Sequence, residues 1–338
     1  MKKRTFRILL AVAMTTMLLT GCKKTAGTPQ DSATKETEEA KEQEEKEEEE
    51  TEAETGLLLG YSCINMENPY YQTLEKAIET SIGTDARIVS MDAGADAQKQ
   101  NEQIQELIDM GVDAVFYSPV DLSEAQTALE ALDEAGIPVI NLDTQVKESD
   151  LTAAFIGSDN KNAGYVCGKD LKEKCPDGGK ILIFEAKGIN SVNERITGFE
   201  QSIANAGFEV LNRADANGEK QKAYEQMKEF LKQYPEIDAV MCGTDEVALG
   251  VLQAVNEAGR KDIYIYGVDG SPDAKEEIAK EDSAFVGTGA QSPISIGKDA
   301  AKTVLAVLEN KDYEKEIEEE TFIINKDNVE LYGTNGWQ

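Results

Sequence analysis

The 338-residue chain contains no histidine. That absence removes the commonest general base and makes metal sites of the Cys/His type improbable. Cysteine is scarce too: there are five residues and no CxxC pair, so zinc-knuckle spacing is absent. Neither a G-x-S-x-G elbow nor a glycine-rich phosphate loop occurs, which leaves an enzyme as the least supported class. Positive charge is in deficit, with 34 Lys and Arg against 65 Asp and Glu and a net charge of −31. Nucleic acid requires a basic face, and anionic lipid attracts one, so neither is expected as a charge-driven partner. The balance favours neutral or cationic ligands, and no cofactor is expected.

What is present begins with "MKKRTFR", a basic segment, followed by "ILLAVAMTTMLLT", an apolar run too short to span a membrane permanently. It ends in "LLTGC", Leu18 to Cys22, with small Gly21 before the cysteine. This resembles a bacterial lipoprotein signal, in which residues 1–21 are removed and Cys22 becomes the lipidated first residue. An ordinary secretory signal with an incidental cysteine is the alternative. From Glu36 to Glu54 there are twelve glutamates and no large apolar residue. Such a run cannot bury enough surface to offset the entropy of ordering, so residues 22–55 are expected to form a disordered acidic stalk. A flexible coil of that length spans about 30 Å, and a charged one more.

Residues 56–338 hold 25 basic and 52 acidic residues, a net charge of −27, and are long enough for one large domain or two lobes. They alternate short aliphatic runs with amphipathic stretches. The first set of runs is "LLLGYSC" (57–63), "ARIVSM" (86–91), "DAVFYS" (113–118) and "IPVINLD" (137–143). A second set follows "AAFIGSD" (153–159): "KILIFE" (180–185), "FEVLN" (208–212), "DAVMCG" (238–243), "DIYIYGVD" (262–269) and "AFVGTG" (284–289). Helical stretches separate them, near 161–174, 191–206, 219–233, 245–258 and 272–280 in the second set. Continuous apolar strands between helices mean parallel sheets covered on both faces, so the fold class is α/β with two sheets and two lobes. Cys63 and Cys242 fall at strand ends as small buried hydrophobes. Cys167 and Cys175, eight apart on one helix, lie about 12 Å apart and cannot bridge.

Ligands of open parallel sheets bind beyond the carboxyl ends of the strands. The residues there are polar and include no activated nucleophile. Asn68 precedes Pro69 as a helix cap or contacts a ligand. Tyr70 and Tyr71 follow in the first turn, about 100° apart, so one buried face cannot take both rings. Thr244 caps "DEVALG" or contacts a ligand. Asp269 in "VDGSPDA" has no capping task, because Ser271 and Pro272 perform it. Arg195 follows a capping box, Ser191 with Glu194, and places a cation where the helix dipole opposes it. Asp143 and Gln291 complete the set.

The motifs "NPYY" (68–71), "IPVINLD" (137–143), "ERITGF" (194–199), "DAVMCGTDEVALG" (238–250), "YGVDGSPDA" (266–274) and "TGAQSPISIG" (288–297) stand in an order that resembles bacterial sugar-binding proteins of the ribose-binding type, the capturing part of ABC importers. The resemblance covers nearly all of 56–338. It implies two Rossmann-like lobes joined by a three-crossover hinge, with crossings near 156–159, 289–291 and 321–324 and the ligand in the interlobe cleft. The lobes it implies are 56–156 plus 291–321 and 157–290 plus 322–338. The implied sugar contacts are Asn68, Tyr70, Tyr71, Asp143, Thr144, Arg195, Thr244, Asp269 and Gln291. Tyr71 would be the stacking platform, and Tyr70 would line or underlie the pocket with its hydroxyl paired.

Thr144 stands where the ribose binder has arginine, Thr244 where it has asparagine, and Ala216 where it has a second aromatic. These departures leave room for a bulkier or differently substituted ligand than ribose, and the ligand implied is a monosaccharide or related polyol, delivered to an ABC permease by a lipid-anchored monomer. A sensor feeding a membrane histidine kinase or chemoreceptor is the alternative.

Overall fold

Each β-run of the sequence becomes a strand, and burial is nearly continuous in all but the edge runs 86–91 and 208–212. The computed structural model describes residues 56–338, which form one compact unit. The expected signal, Cys22 and stalk lie outside the described residues. Strand β1 (Leu57–Cys63) lies between β2 (Ala86–Asp92) and β3 (Ala114–Tyr117), and its last five residues are buried. Strands β4 (Val139–Asp143), β5 (Ala154–Ser158) and β11 (Glu316–Glu319) extend the sheet in the order β11-β5-β4-β3-β1-β2, all parallel. A second sheet repeats the order with β6 (Gly179–Glu185), β7 (Phe208–Asp215), β8 (Ala239–Cys242), β9 (Tyr264–Asp269), β10 (Phe285–Ala290) and β12 (Phe322–Asn325). Only β12 runs antiparallel, against β10. The fold is the expected α/β pair of doubly wound lobes, each reversing its strand order beside its first strand, where such sheets bind ligands.

The helices start and stop on legible signals. Helix α1 (Pro69–Ile82) is capped by Asn68, whose side chain accepts from Tyr70 N–H, and has Pro69 at its first position. Helices α2 (Ala97–Met110) and α3 (Ala125–Ala135) end on Gly111 and Gly136, both left-handed. In the second lobe, α4 (Asn160–Lys174) and α5 (Asn190–Ile203) cross at two glycines. A β-carbon on Gly164 would overlap the carbonyl of Arg195, and one on Gly198 would overlap that of Lys161. Only glycine permits this approach, and it fixes where Arg195 sits. Helices α6 (Lys220–Gln233), α7 (Asp245–Glu257) and α8 (Pro272–Ala279) complete that lobe. Helix α9 (Pro293–Leu308) returns to pack on α1, and α10 (Val329–Tyr332) is a single turn. Cys63, Cys167 and Cys242 are buried free thiols, while Cys175 is half-buried and free.

The chain passes between sheets after β5, after β10 and between β11 and β12. Two sequence expectations need correction. Strand β11, "EIEE", escaped detection because it is a short charged edge strand whose residues alternate between exposed and half-buried. The capping box at Ser191 does not form: α5 starts two residues earlier than that box requires, its cap residue is Ile189, and Arg195 lies in the second turn. The cation is therefore beyond the reach of the helix terminus, and burial explains its position better than the dipole does.

Candidate functional site

The first lobe supplies a strained carboxylate. Asp143 ends β4 with φ +63°, inside a three-residue turn closed by Thr144 N–H donating to Leu142 O at 2.7 Å. Such a conformation costs a non-glycine residue about 1–3 kcal/mol and persists only when its surroundings over-determine it. Here buried Asn141 does so. Its amide donates to Tyr117 O and Thr144 O, and its oxygen accepts from Val146 N–H at 3.0 Å. Tyr71 Oη donates to Asp143 Oδ2 at 2.9 Å. Tyr70 Oη approaches the same carboxylate without completing a hydrogen bond of proper geometry, and is buried without a partner. The two rings meet edge-on, with centroids 5.3 Å apart, and Trp337 backs Tyr70 at 5.9 Å.

The second lobe supplies the counterpart. Asp269 ends β9, the strand equivalent to β4, and also has positive φ, +148°. Its carboxylate accepts from Gln291 Nε2 at 2.7 Å and from Arg195 Nη1 at 3.3 Å. Arg195 also donates to Asn160 Oδ1 at 2.8 Å and to Gly243 O at 3.0 Å. Its Nη2 lies 3.9 Å from Asp143 Oδ1, so one guanidinium faces carboxylates of both lobes. Gln291 Oε1 accepts from Ser158 Oγ at 2.9 Å, which ties two of the three crossings to the site.

Electrostatics follow from burial. Asp143, Arg195 and Asp269 are each at most 4% exposed. Burial pushes both carboxyls above their ordinary range, and Arg195 opposes the rise in each. Burial likewise opposes the charge on Arg195, but Asp269 and Asp143 outweigh it and hold the guanidinium above its usual value. The phenols of Tyr70 and Tyr71 are raised by burial and then by Asp143, so both stay protonated as donors.

These groups enclose a cavity of about 60 Å³, room for several waters' worth of ligand. The structure brings Asn68, Tyr70, Tyr71, Asp143, Arg195, Thr244, Asp269 and Gln291 to its lining. It does not bring Thr144, whose hydroxyl is occupied elsewhere because the turn at Asp143 directs it to the opposite lobe. Asp269 has more structural work than the sequence suggests, since it also accepts from Asp245 N–H at 3.3 Å. The sequence reading missed Asn65, Asn217 and Glu219, which also line the cavity. Asn217 and Glu219 follow β7, so the strand-end rule had the signal to find them. Ala216, where an aromatic was sought, is fully buried and absent from the lining. Asn160 follows β5 in the same way, whereas Trp337 carried no sequence signal of this kind. Among the described residues no cluster of Cys, Asp or Glu could hold a metal ion, and no helix is long and apolar enough to cross a membrane.

Two doubly wound lobes meeting over a buried polar cavity define a cleft-type binding protein. Residues 59–312 match the periplasmic binding protein domain. The ribose import binding protein of Bacillus subtilis is 32% identical over 261 residues, spanning 77% of this chain and 84% of that protein. An ABC transporter solute-binding protein from Mycobacterium smegmatis with bound glycerol superposes with TM-score 0.77 at 28% identity, covering 82% of this chain and 96% of that one. The fructose-binding periplasmic domain of a hybrid two-component system gives TM-score 0.76 at 26% identity, covering 82% and 93%. The chain belongs to the periplasmic binding protein family, among the sugar-binding solute-binding proteins of ABC transporters. Members of that family act outside the cytoplasm as binding proteins, not as enzymes.

Proposed function

We propose that this protein captures a neutral monosaccharide or related polyol in the cleft and delivers it to an ABC permease, without catalysing a reaction on it. In this reading the mature chain is a monomer held at the outer face of the cell membrane by lipid on Cys22. The lobes 56–156 plus 291–321 and 157–290 plus 322–338 close over the ligand by hinge motion. The observation that supports it most is the mixture of groups around the cavity: two carboxylates that accept hydroxyl hydrogen bonds, one cation, amides, and the unpartnered Tyr70 hydroxyl. A polyhydroxyl ligand satisfies acceptors and donors together, whereas an anionic ligand would add negative charge beside two carboxylates that share one guanidinium. The likeness to a fructose-binding sensor domain supports a second reading, in which the same capture informs a membrane kinase.

The test is a thermal-shift screen of purified residues 56–338 against pentoses, hexoses, deoxysugars, cyclitols and furanosyl compounds. A ligand at a hundred times its Kd adds about 2.7 kcal/mol to the folded state. One or more sugars should therefore raise Tm by several degrees, and folded protein with no shift across the panel would sink the sugar reading.

A further inference from the structure

Helix α5 begins without a cap of its own. Its cap residue, Ile189, carries no acceptor, so the first N–H groups of the helix depend on other parts of the chain. One of them is satisfied from the opposite lobe: Ser191 N–H donates to Thr144 Oγ1 at 3.0 Å, both residues being buried. Thr144 is held for this task by the turn on Asp143, with its N–H on Leu142 O and its carbonyl on Asn141. A second tie lies alongside, where Leu122 N–H donates to Gly188 O at 2.8 Å. A β-carbon on Gly188 would come within 2.5 Å of Asp121 Oδ2, so a larger residue there would have to displace the Asp121 side chain. The opposite lip of the cleft is different. Between Asn65, Asn68 and Ala95 on one side and Gly218, Glu219 and Gln221 on the other, the lobes leave a groove of about 590 Å³. Among the described residues, these two hydrogen bonds fasten one lip of the cleft and the groove lies along the other.

We infer that Thr144 is a closure latch, capping α5 across the cleft only while the lobes are shut and thereby setting how long a captured ligand stays. The inference rests on the ligand-capture reading above. Opening the lobes strips Ser191 of its acceptor and loosens the start of the helix that carries Arg195. A side-chain cap shifts a helix equilibrium by about five- to tenfold, and here that factor falls on the ratio of closed to open protein. Thr144 is thus a positioning residue that touches no ligand.

The experiment compares the full chain with its Thr144→Val and Thr144→Ser variants. Trp337, the single tryptophan, lies against Tyr70 and reports on the cleft by its fluorescence. Stopped-flow release of D-ribose and D-fructose is followed for whichever probe the unaltered chain binds. Thr144→Val should release it about five- to tenfold faster with an unchanged association rate, while Thr144→Ser stays within about twofold of the parent. Equal release by Thr144→Val and the parent overturns the latch. If the parent binds neither probe, that failure falls on the ligand reading, and amide hydrogen exchange at Ser191 decides the latch without sugar. Exchange about tenfold faster in Thr144→Val than in Thr144→Ser supports it, and equal exchange overturns it.

Discussion

Replacing Arg195 with methionine tests the electrostatic account of the site most directly. Among the described residues Arg195 is the one cation lining the cavity, and it stands 3.3 Å from Asp269 and 3.9 Å from Asp143. Its removal leaves two carboxylates buried without a counter-charge, a change that costs about 3–5 kcal/mol. For a folded unit of this size, each kcal/mol moves Tm by roughly 2 °C, so the variant should melt about 6–10 °C below the parent near pH 7.5. The pH dependence has a definite sign. A carboxyl whose folded pKa is raised binds more protons folded than unfolded in the interval above the ordinary aspartate value of about 3.9. Its contribution to stability therefore falls as pH rises through that interval. Arg195 lowers both carboxyls, so removing it extends the interval upward. The melting deficit should be widest near pH 7–8 and narrow toward pH 5, by about 1.4 kcal/mol per pH unit for each carboxyl still titrating. Calorimetry of both proteins from pH 5 to 8 measures this. A deficit that stays constant with pH would refute the reasoning, because lost packing alone has no such dependence.

Two further outcomes follow from the placement of the helices and from the signal. Gly164→Ala should destabilise by about 1–3 kcal/mol through overpacking against the Arg195 carbonyl, and should weaken sugar binding as α5 is displaced. Unchanged Tm and affinity would show that α5 can yield without moving its arginine. Cys22→Ser should move the protein from the membrane fraction to the soluble fraction of producing cells, since a lipid chain adds about 0.8 kcal/mol per buried CH₂. Continued membrane association would argue against an anchor at that residue.

The fold was legible because its inner strands are buried on both faces and its helices carry local stop signals. "VINLD" and "YGVD" read as strands from their apolar runs, and Gly111 and Gly136 mark helix ends without any tertiary information. Strand β11 was illegible for the opposite reason: "EIEE" pairs along one edge only, and its charges carry no burial signal. In the site, the strand-end rule found the aspartates, while Arg195 was singled out for a reason the structure corrects. A cation in a first turn seemed out of place, but Arg195 sits one turn later, and its oddity is complete burial at 2% exposure. Sequence cannot show burial of a charge, because that depends on a glycine 31 residues away on α4. Thr144 was unreadable in the same sense, since its partner belongs to the other lobe.

The two aspartates explain why such a site is expensive to keep. Asp143 and Asp269 end equivalent strands of two sheets with the same strand order, and each holds a positive φ that most residues avoid. Each is also buried and pushed toward protonation. Strain and desolvation both lower the stability of the empty protein, while the hydrogen bonds from Asn141 and Gln291 prevent either turn from relaxing. A ligand that donates hydroxyls to both carboxylates offsets the desolvation at the moment of closure without requiring them to move. Free energy withheld from the empty fold is thereby returned on binding, which favours ligands that reach both lobes at once. A hydroxyl compound touching only one aspartate leaves the other uncompensated and gains little from closure. In the proposed capture reading, the pairing of strained carboxylates across the cleft would therefore select for the span of the ligand as well as for its hydroxyls.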